Sequence, residues 1–92
     1  MRQSHPKRDG STPEWAFGVI LKELRRATNL SQETLADKAG YDRTYIGLLE
    51  RGQRSPSLRT IFNLADALNV RPTQVIKKVE TAFRRGFPFP GA

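Results

Sequence analysis

Apolar side chains recur along this chain with helical spacing and never with the alternation of a strand. Phe17, Ile20, Leu21, Leu24 and Ala27 stand at i, i+3, i+4, i+7 and i+10, which puts them on one face of an α-helix. The pattern predicts a first helix over 14–28. Pro13 suits its first turn, and either Ser11 or Thr12 serves as the cap, with Ser11 and Glu14 spaced as a capping box. "TNLS" interrupts the helix. Ser31 then caps a second helix over 32–39, with Leu35, Ala36 and Ala39 on one face and Gly40 at its end. Only "GYD" separates it from a third helix over 43–51. Asp42 is the cap candidate there, Ile46 and Leu49 are the expected buried residues, Tyr45 is partly so, and Gly52 ends the helix. After the loop "QRSPS", Ser57 caps a fourth helix over 58–68, with Leu58, Ile61, Phe62, Leu64, Ala65 and Leu68 expected inward. Asn69 ends it. Pro72 opens a fifth helix over 72–83, whose stripe is Val75, Ile76, Val79, Ala82 and Phe83. "GFPFPGA" cannot continue it. The expected fold is all-α, a compact domain of five short helices.

Ninety-two residues suffice for one domain with one modest core. Residues 1–12 are polar, basic and broken by Pro6 and Gly10, and read as a flexible basic arm. The helical domain is expected over 13–83, and 84–92 form a Pro/Gly-containing tail. The net charge of +7 points to a polyanion as partner. The excess is uneven. Residues 1–13 contribute +2, 84–92 another +2, and 14–83, with eleven bases and eight acids, only +3. Position must therefore carry the argument. The chain has no cysteine, which removes disulfides, thiolate metal sites and cysteine nucleophiles together. No apolar run approaches the roughly 20 residues of a membrane helix, and no signal-peptide pattern is present. A cytoplasmic protein is expected. His5, the one histidine, has no visible partner for metal binding or catalysis. Neither a metal, a cofactor nor an enzymatic activity is expected.

The third helix has an odd composition: "DRTYIGLLERG" opens with an Arg, a Thr and a Tyr. Two helices joined by a three-residue turn that begins with glycine have the arrangement of a helix-turn-helix, whose second helix enters the DNA major groove. A groove about 12 Å wide accepts one helix, and only its leading turns reach base edges. Its front must then be polar and its rear, Ile46 and Leu49, apolar. Arg43 has the geometry to donate two hydrogen bonds to guanine O6 and N7, and Thr44 to bond a base or pack its methyl on thymine. Gln32, at a helix N-terminus, sets an amide beside unpaired backbone N–H groups, which suits a phosphate.

The string "FGVILKELRRATNLSQETLADKAGYDRTYIGLLERGQRSPSLRTIFNLADALNV", residues 17–70, resembles the phage-repressor and Cro-like helix-turn-helix proteins, the XRE family. "LSQETLADKAG", "DRTYIGLLERG" and "SPSLRTIFNLADAL" match its pattern at its usual separations. "DRTYI..LERG" is also similar to the controller proteins of restriction–modification systems. The resemblance implies a lambda-repressor-like fold and roles for particular residues. Gln32 matches a phosphate contact, Arg43 and Thr44 the base-reading positions, and Gly47 and Leu48 further groove-facing positions that lack hydrogen-bonding side chains. It also implies a phosphate contact by the Tyr45 hydroxyl and backbone contacts by Arg51, Gln53, Arg54 and Ser55 in the following loop. Arg25 and Glu50 match a buried ion pair that ties the first helix to the third.

The expected function is regulation of transcription through sequence-specific binding of double-stranded DNA, as a homodimer on a (pseudo)palindromic operator. The stripe Val75, Ile76, Val79 and Phe83 is the expected dimer surface, because it is more apolar than a terminal helix needs for packing. Trp15 and Phe17 are expected in the core or at the dimer surface. The alternative is an antitoxin-like or partner-binding module, with secondary DNA binding and the "FPFPG" tail as a docking segment. Nonspecific compaction of nucleic acid is a third reading, marked by equal binding to any sequence.

Overall fold

A computed structural model describes residues 12–86. They form five helices: α1 Pro13–Ala27, α2 Gln32–Ala39, α3 Arg43–Glu50, α4 Leu58–Ala67 and α5 Pro72–Arg85. Residues 1–11 and 87–92 lie outside the description, and with them fall His5, most of the basic arm and the Phe-Pro tail. Among the described residues there is no strand, and no helix is long and apolar enough to cross a membrane.

Local chemistry places the helix ends. Thr12, rather than Ser11, is the first cap, its hydroxyl accepting from the Trp15 N–H at 3.0 Å. Ser31 and Ser57 cap α2 and α4 in the same way, each taking a backbone N–H three residues on at 3.0 Å. Asp42 occupies the cap position of α3 with extended backbone, but its side chain makes no capping bond. At their C-termini α1, α2, α3 and α4 share one device. Asn29, Gly40, Gly52 and Asn69 take positive φ, and the next N–H turns back to the carbonyl five residues before it. This is a Schellman closure, which satisfies carbonyls that a helix end leaves open. It also fixes the exit angle of the chain, so each connection is short. α5 runs two residues past its expected end, to Arg85, and Gly86 terminates it. Arg84 and Arg85 are therefore its last turn, where cations suit the helix dipole.

The core gathers Phe17, Leu21, Leu35, Ile46, Leu49 and Leu64, with Ala36, Ala65, Leu68 and Val75. A second cluster of Ala16, Ile20 and Ala82, backed by Val79 and Phe83, joins α1 to α5. Two expectations need correction. Leu58 and Phe62 do not point inward: they are 70% and 53% exposed, beside Ile76 at 46%. The apolar stripe of α4 is wider than the face the core can cover, so its outer edge stays open. Val75, expected at a dimer surface, is 4% exposed and belongs to the domain's own core. Val79 and Phe83 are half-buried against α1.

Gly18 sets how close α1 comes to α3. A Cβ at this position would stand 2.5 Å from the carbonyl oxygens of both Leu49 and Glu50. Backbone cannot give way cheaply, so the two helices would have to separate. Gly18→Ala is expected to destabilise the fold by about 1–3 kcal/mol, the usual range for overpacking, despite alanine's better helix propensity. A urea denaturation midpoint at or above that of the parent protein would refute this.

Candidate nucleic-acid interface

α2 and α3 are joined by Gly40, Tyr41 and Asp42, the three-residue turn of a helix-turn-helix. Gly40 takes φ 81°, a left-handed conformation that glycine adopts without a Cβ clash. On α3 the two faces are sharply different. Ile46 and Leu49 are completely buried, whereas Arg43 and Thr44, in the first turn, are exposed. Leu48 is half-buried. Gly47 is buried although it has no side chain to bury, because the Arg51 guanidinium lies across it.

The rear of α3 is fastened by a charged junction. Arg25 Nε donates to Glu50 Oε2 at 2.6 Å, and Nη2 to Oε1 at 3.1 Å. Arg25 Nη1 donates to the Leu30 carbonyl at 2.8 Å, closing the α1–α2 turn. Gln32 Nε2 adds a bond to Glu50 Oε1 at 2.9 Å. One carboxylate thus receives donors from α1 and α2 while standing at the end of α3. The Arg25 and Glu50 side chains are only 10% and 3% exposed. The Gln32 amide is correspondingly turned inward, so its suitability for a phosphate rests on the backbone N–H of the first α2 residue, which has no partner within the helix.

A second junction braces α3 from the side of α4, and the sequence reading missed it. Thr60, 5% exposed, meets three hydroxyls: Ser57 at 3.0 Å, Tyr41 at 3.3 Å and Tyr45 at 3.4 Å. The last two are long for hydroxyl pairs. Asn63 Nδ2 donates to the Tyr41 hydroxyl at 2.8 Å. The rings of Tyr41 and Tyr45 are tilted, with centroids 5.2 Å apart. The Tyr45 hydroxyl, expected on a phosphate, therefore faces α4. Its ring instead supports the loop: the Arg54 guanidinium sits 5.4 Å from the ring centroid, within cation–π range. Gln53, Arg54 and Ser55 are all exposed on that loop. Tyr41, Thr60 and Asn63 gave no local signal, since a hydroxyl network across two elements has no fixed sequence spacing.

Removing one partner of a buried ion pair leaves the other charge uncompensated, at a cost of about 3–5 kcal/mol. Glu50→Ala is expected to lower stability by about that amount, and the double change Arg25→Met with Glu50→Leu by far less. Equal losses in chemical denaturation of the two variants would contradict a buried, mutually compensating pair.

Comparison with known proteins agrees with this geometry. The helix-turn-helix family profile matches residues 21–75. The HTH-type transcriptional regulator y4dJ of Sinorhizobium fredii is 38% identical over 67 residues, which cover 72% of this chain and 87% of that protein. The control protein C.SmaI of Serratia marcescens is 41% identical over 58 residues, 63% of this chain and 69% of its own. Among solved structures, the restriction-modification controller protein C.AhdI of Aeromonas hydrophila is 52% identical, with a TM-score of 0.66 over 67% of this chain and 94% of that one. With its three-residue turn, its buried-backed third helix and a profile match across most of the domain, the chain belongs to the helix-turn-helix family of transcriptional regulators.

Proposed function

We propose that the chain acts in the cytoplasm as a homodimer that binds a (pseudo)palindromic operator in double-stranded DNA, with α3 of each copy in the major groove. The observation that carries this reading is the contrast along α3: Arg43 and Thr44 stand free at its leading end while Ile46 and Leu49 are fully buried behind them. An exposed guanidinium on a fixed helix end has the fork that guanine O6 and N7 require, and Thr44 beside it suits a neighbouring base. Leu48 offers an apolar contact beside them. The Gln32 backbone N–H and the exposed loop side chains Gln53, Arg54 and Ser55 are the proposed phosphate contacts, which set register without reading sequence.

A single recognition helix reads few base pairs, and a two-fold pair doubles the site. The surface proposed for pairing is the open apolar edge of α4 and α5. Leu58, Phe62 and Ile76 are its exposed members. They border a shallow groove of about 390 Å³ together with Ile61 and Pro72. Scattered apolar residues are ordinary on a surface, but three large ones gathered on two adjacent helices support a contact here. The pairing face thus keeps Ile76 from the fifth-helix stripe and replaces the buried Val75 with α4 residues.

Selection of bound sites from random duplexes is expected to return an inverted repeat with half-sites about 34 Å apart or a multiple of that distance. Arg43→Ala should then lose about 1–3 kcal/mol per half-site and relax the preference at one position. Recovery of no enriched sequence would favour nonspecific compaction, and a variant with unchanged affinity and preference would remove Arg43 from the readout. Phe62→Glu is expected to convert the dimer to a folded monomer by analytical ultracentrifugation and to abolish cooperative occupation of the two half-sites. A monomeric parent protein that gains mass only with a stoichiometric protein partner would support the partner-binding alternative instead.

A further inference from the structure

Arg51 follows the last residue of α3, yet it covers that helix's middle. It is the C-terminal cap, and its backbone N–H still donates to the Gly47 carbonyl at 3.1 Å, so its Cα keeps the helical position. Long side chains on a helix lean back toward the N-terminus and lie over the preceding turn. Here the lean has nothing to stop it. Gly47, one turn earlier, has no side chain, and a Cβ placed there would lie 3.2 Å from Arg51 Nη1 and 3.8 Å from Nη2. The guanidinium therefore lies directly against the bare backbone of residue 47, where a side chain would crowd it. At about 100° per residue, Arg51 stands roughly 80° around the axis from Arg43 and inside the sector bounded by Arg43 and Leu48. That sector is the face opposite Ile46 and Leu49. Arg51 Nε is held by Gln53 Oε1 at 3.3 Å. Among the described residues, Nη1 and Nη2 donate to nothing.

We propose that Arg51 is a specificity-determining residue: its guanidinium, laid over Gly47 and steadied by Gln53, presents its two terminal nitrogens to the base edges of a G·C pair distinct from the one met by Arg43. Glycine at position 47 then serves the readout, because it leaves room for a guanidinium from the next turn at the middle of the reading face. Two guanidinium groups on one short helix give two guanine-reading forks, with Thr44 on the same face. A phosphate contact by Arg51 would instead need the side chain swung outward, away from Gly47 and off Gln53.

This inference rests on α3 entering the major groove, and the test separates the two. Site selection and salt-dependent binding are compared for the parent protein, Arg51→Ala and Arg51→Lys. Lysine keeps the charge and loses the bidentate fork. For a base-reading Arg51, both variants lose about tenfold or more of the preference for G·C at one position per half-site, and Arg51→Lys keeps the parent's salt dependence. An unchanged consensus in both variants, with Arg51→Ala alone weakening all sites alike and shallowing the salt slope by about one per subunit, would make Arg51 a phosphate contact and overturn the proposal. So would an unchanged consensus with unchanged affinity. If the parent itself enriches no sequence, the groove reading falls, and this one with it. Far-ultraviolet circular dichroism confirms that each variant is folded, as expected for a change at an exposed helix end.

Discussion

An eight-residue helix is too short to hold itself in water, since isolated helices below about 12–15 residues are marginal even with favourable sequences. α3 is such a helix, and Arg43 and Thr44 at its leading end are exposed and contribute nothing to burial. Its order is borrowed. Behind it, Ile46 and Leu49 enter the core, and the Glu50 carboxylate receives Arg25 from α1 and Gln32 from α2. Beside it, Tyr41 and Tyr45 meet Thr60 on α4. Gly18 lets α1 come against the carbonyls at its end. The side chains left over at the front are thus carried on a helix fixed from three directions. A contact that distinguishes bases by a few kcal/mol requires such a support, because a loosely held donor would lose much of that difference to its own ordering.

The two polar junctions differ in what they ask of the chain. The Arg25–Glu50 pair is nearly closed to solvent, and desolvating two charges offsets most of their attraction. Its value lies more in fixing geometry than in net stability: few other arrangements of α1, α2 and α3 would bring both donors to one carboxylate. The hydroxyl network around Thr60 is neutral and partly open at Asn63. It links the turn before α3 to the start of α4, and through the Tyr45 ring it reaches the Arg54 loop. α3 and the following loop are consequently positioned by a shared side chain.

Much of this fold is written in local chemistry. Ser31, Ser57, Gly40, Gly52 and Asn69 mark helix ends by interactions with their immediate neighbours, so their effect was legible without knowledge of the whole. The burial of Ile46 and Leu49 followed from helical spacing. What failed was the assignment of faces on the outer helices. An apolar period shows that a face exists, but not whether the domain's own core is large enough to cover it. α4 carries more apolar surface than its neighbours bury, and so Leu58 and Phe62 remained outside while Val75 went in. The Arg25–Glu50 pair spans 25 residues, and only a family resemblance pointed to it. The cover of Gly47 by Arg51 depends on where a long side chain falls, which spacing alone does not fix.

The backbone of Trp15 passes close to Gly52, so close that a Cβ on that glycine would lie 2.9 Å from the Trp15 Cα. The entrance to α1 is therefore pinned beside the loop that leaves α3. Gly52 itself takes φ 72°, so this position is doubly restricted: a side chain here would both strain the backbone turn that closes α3 and wedge the start of α1 away from it. The seam between the first and third helices is thereby closed at both ends by a missing methyl, at residue 18 and at residue 52.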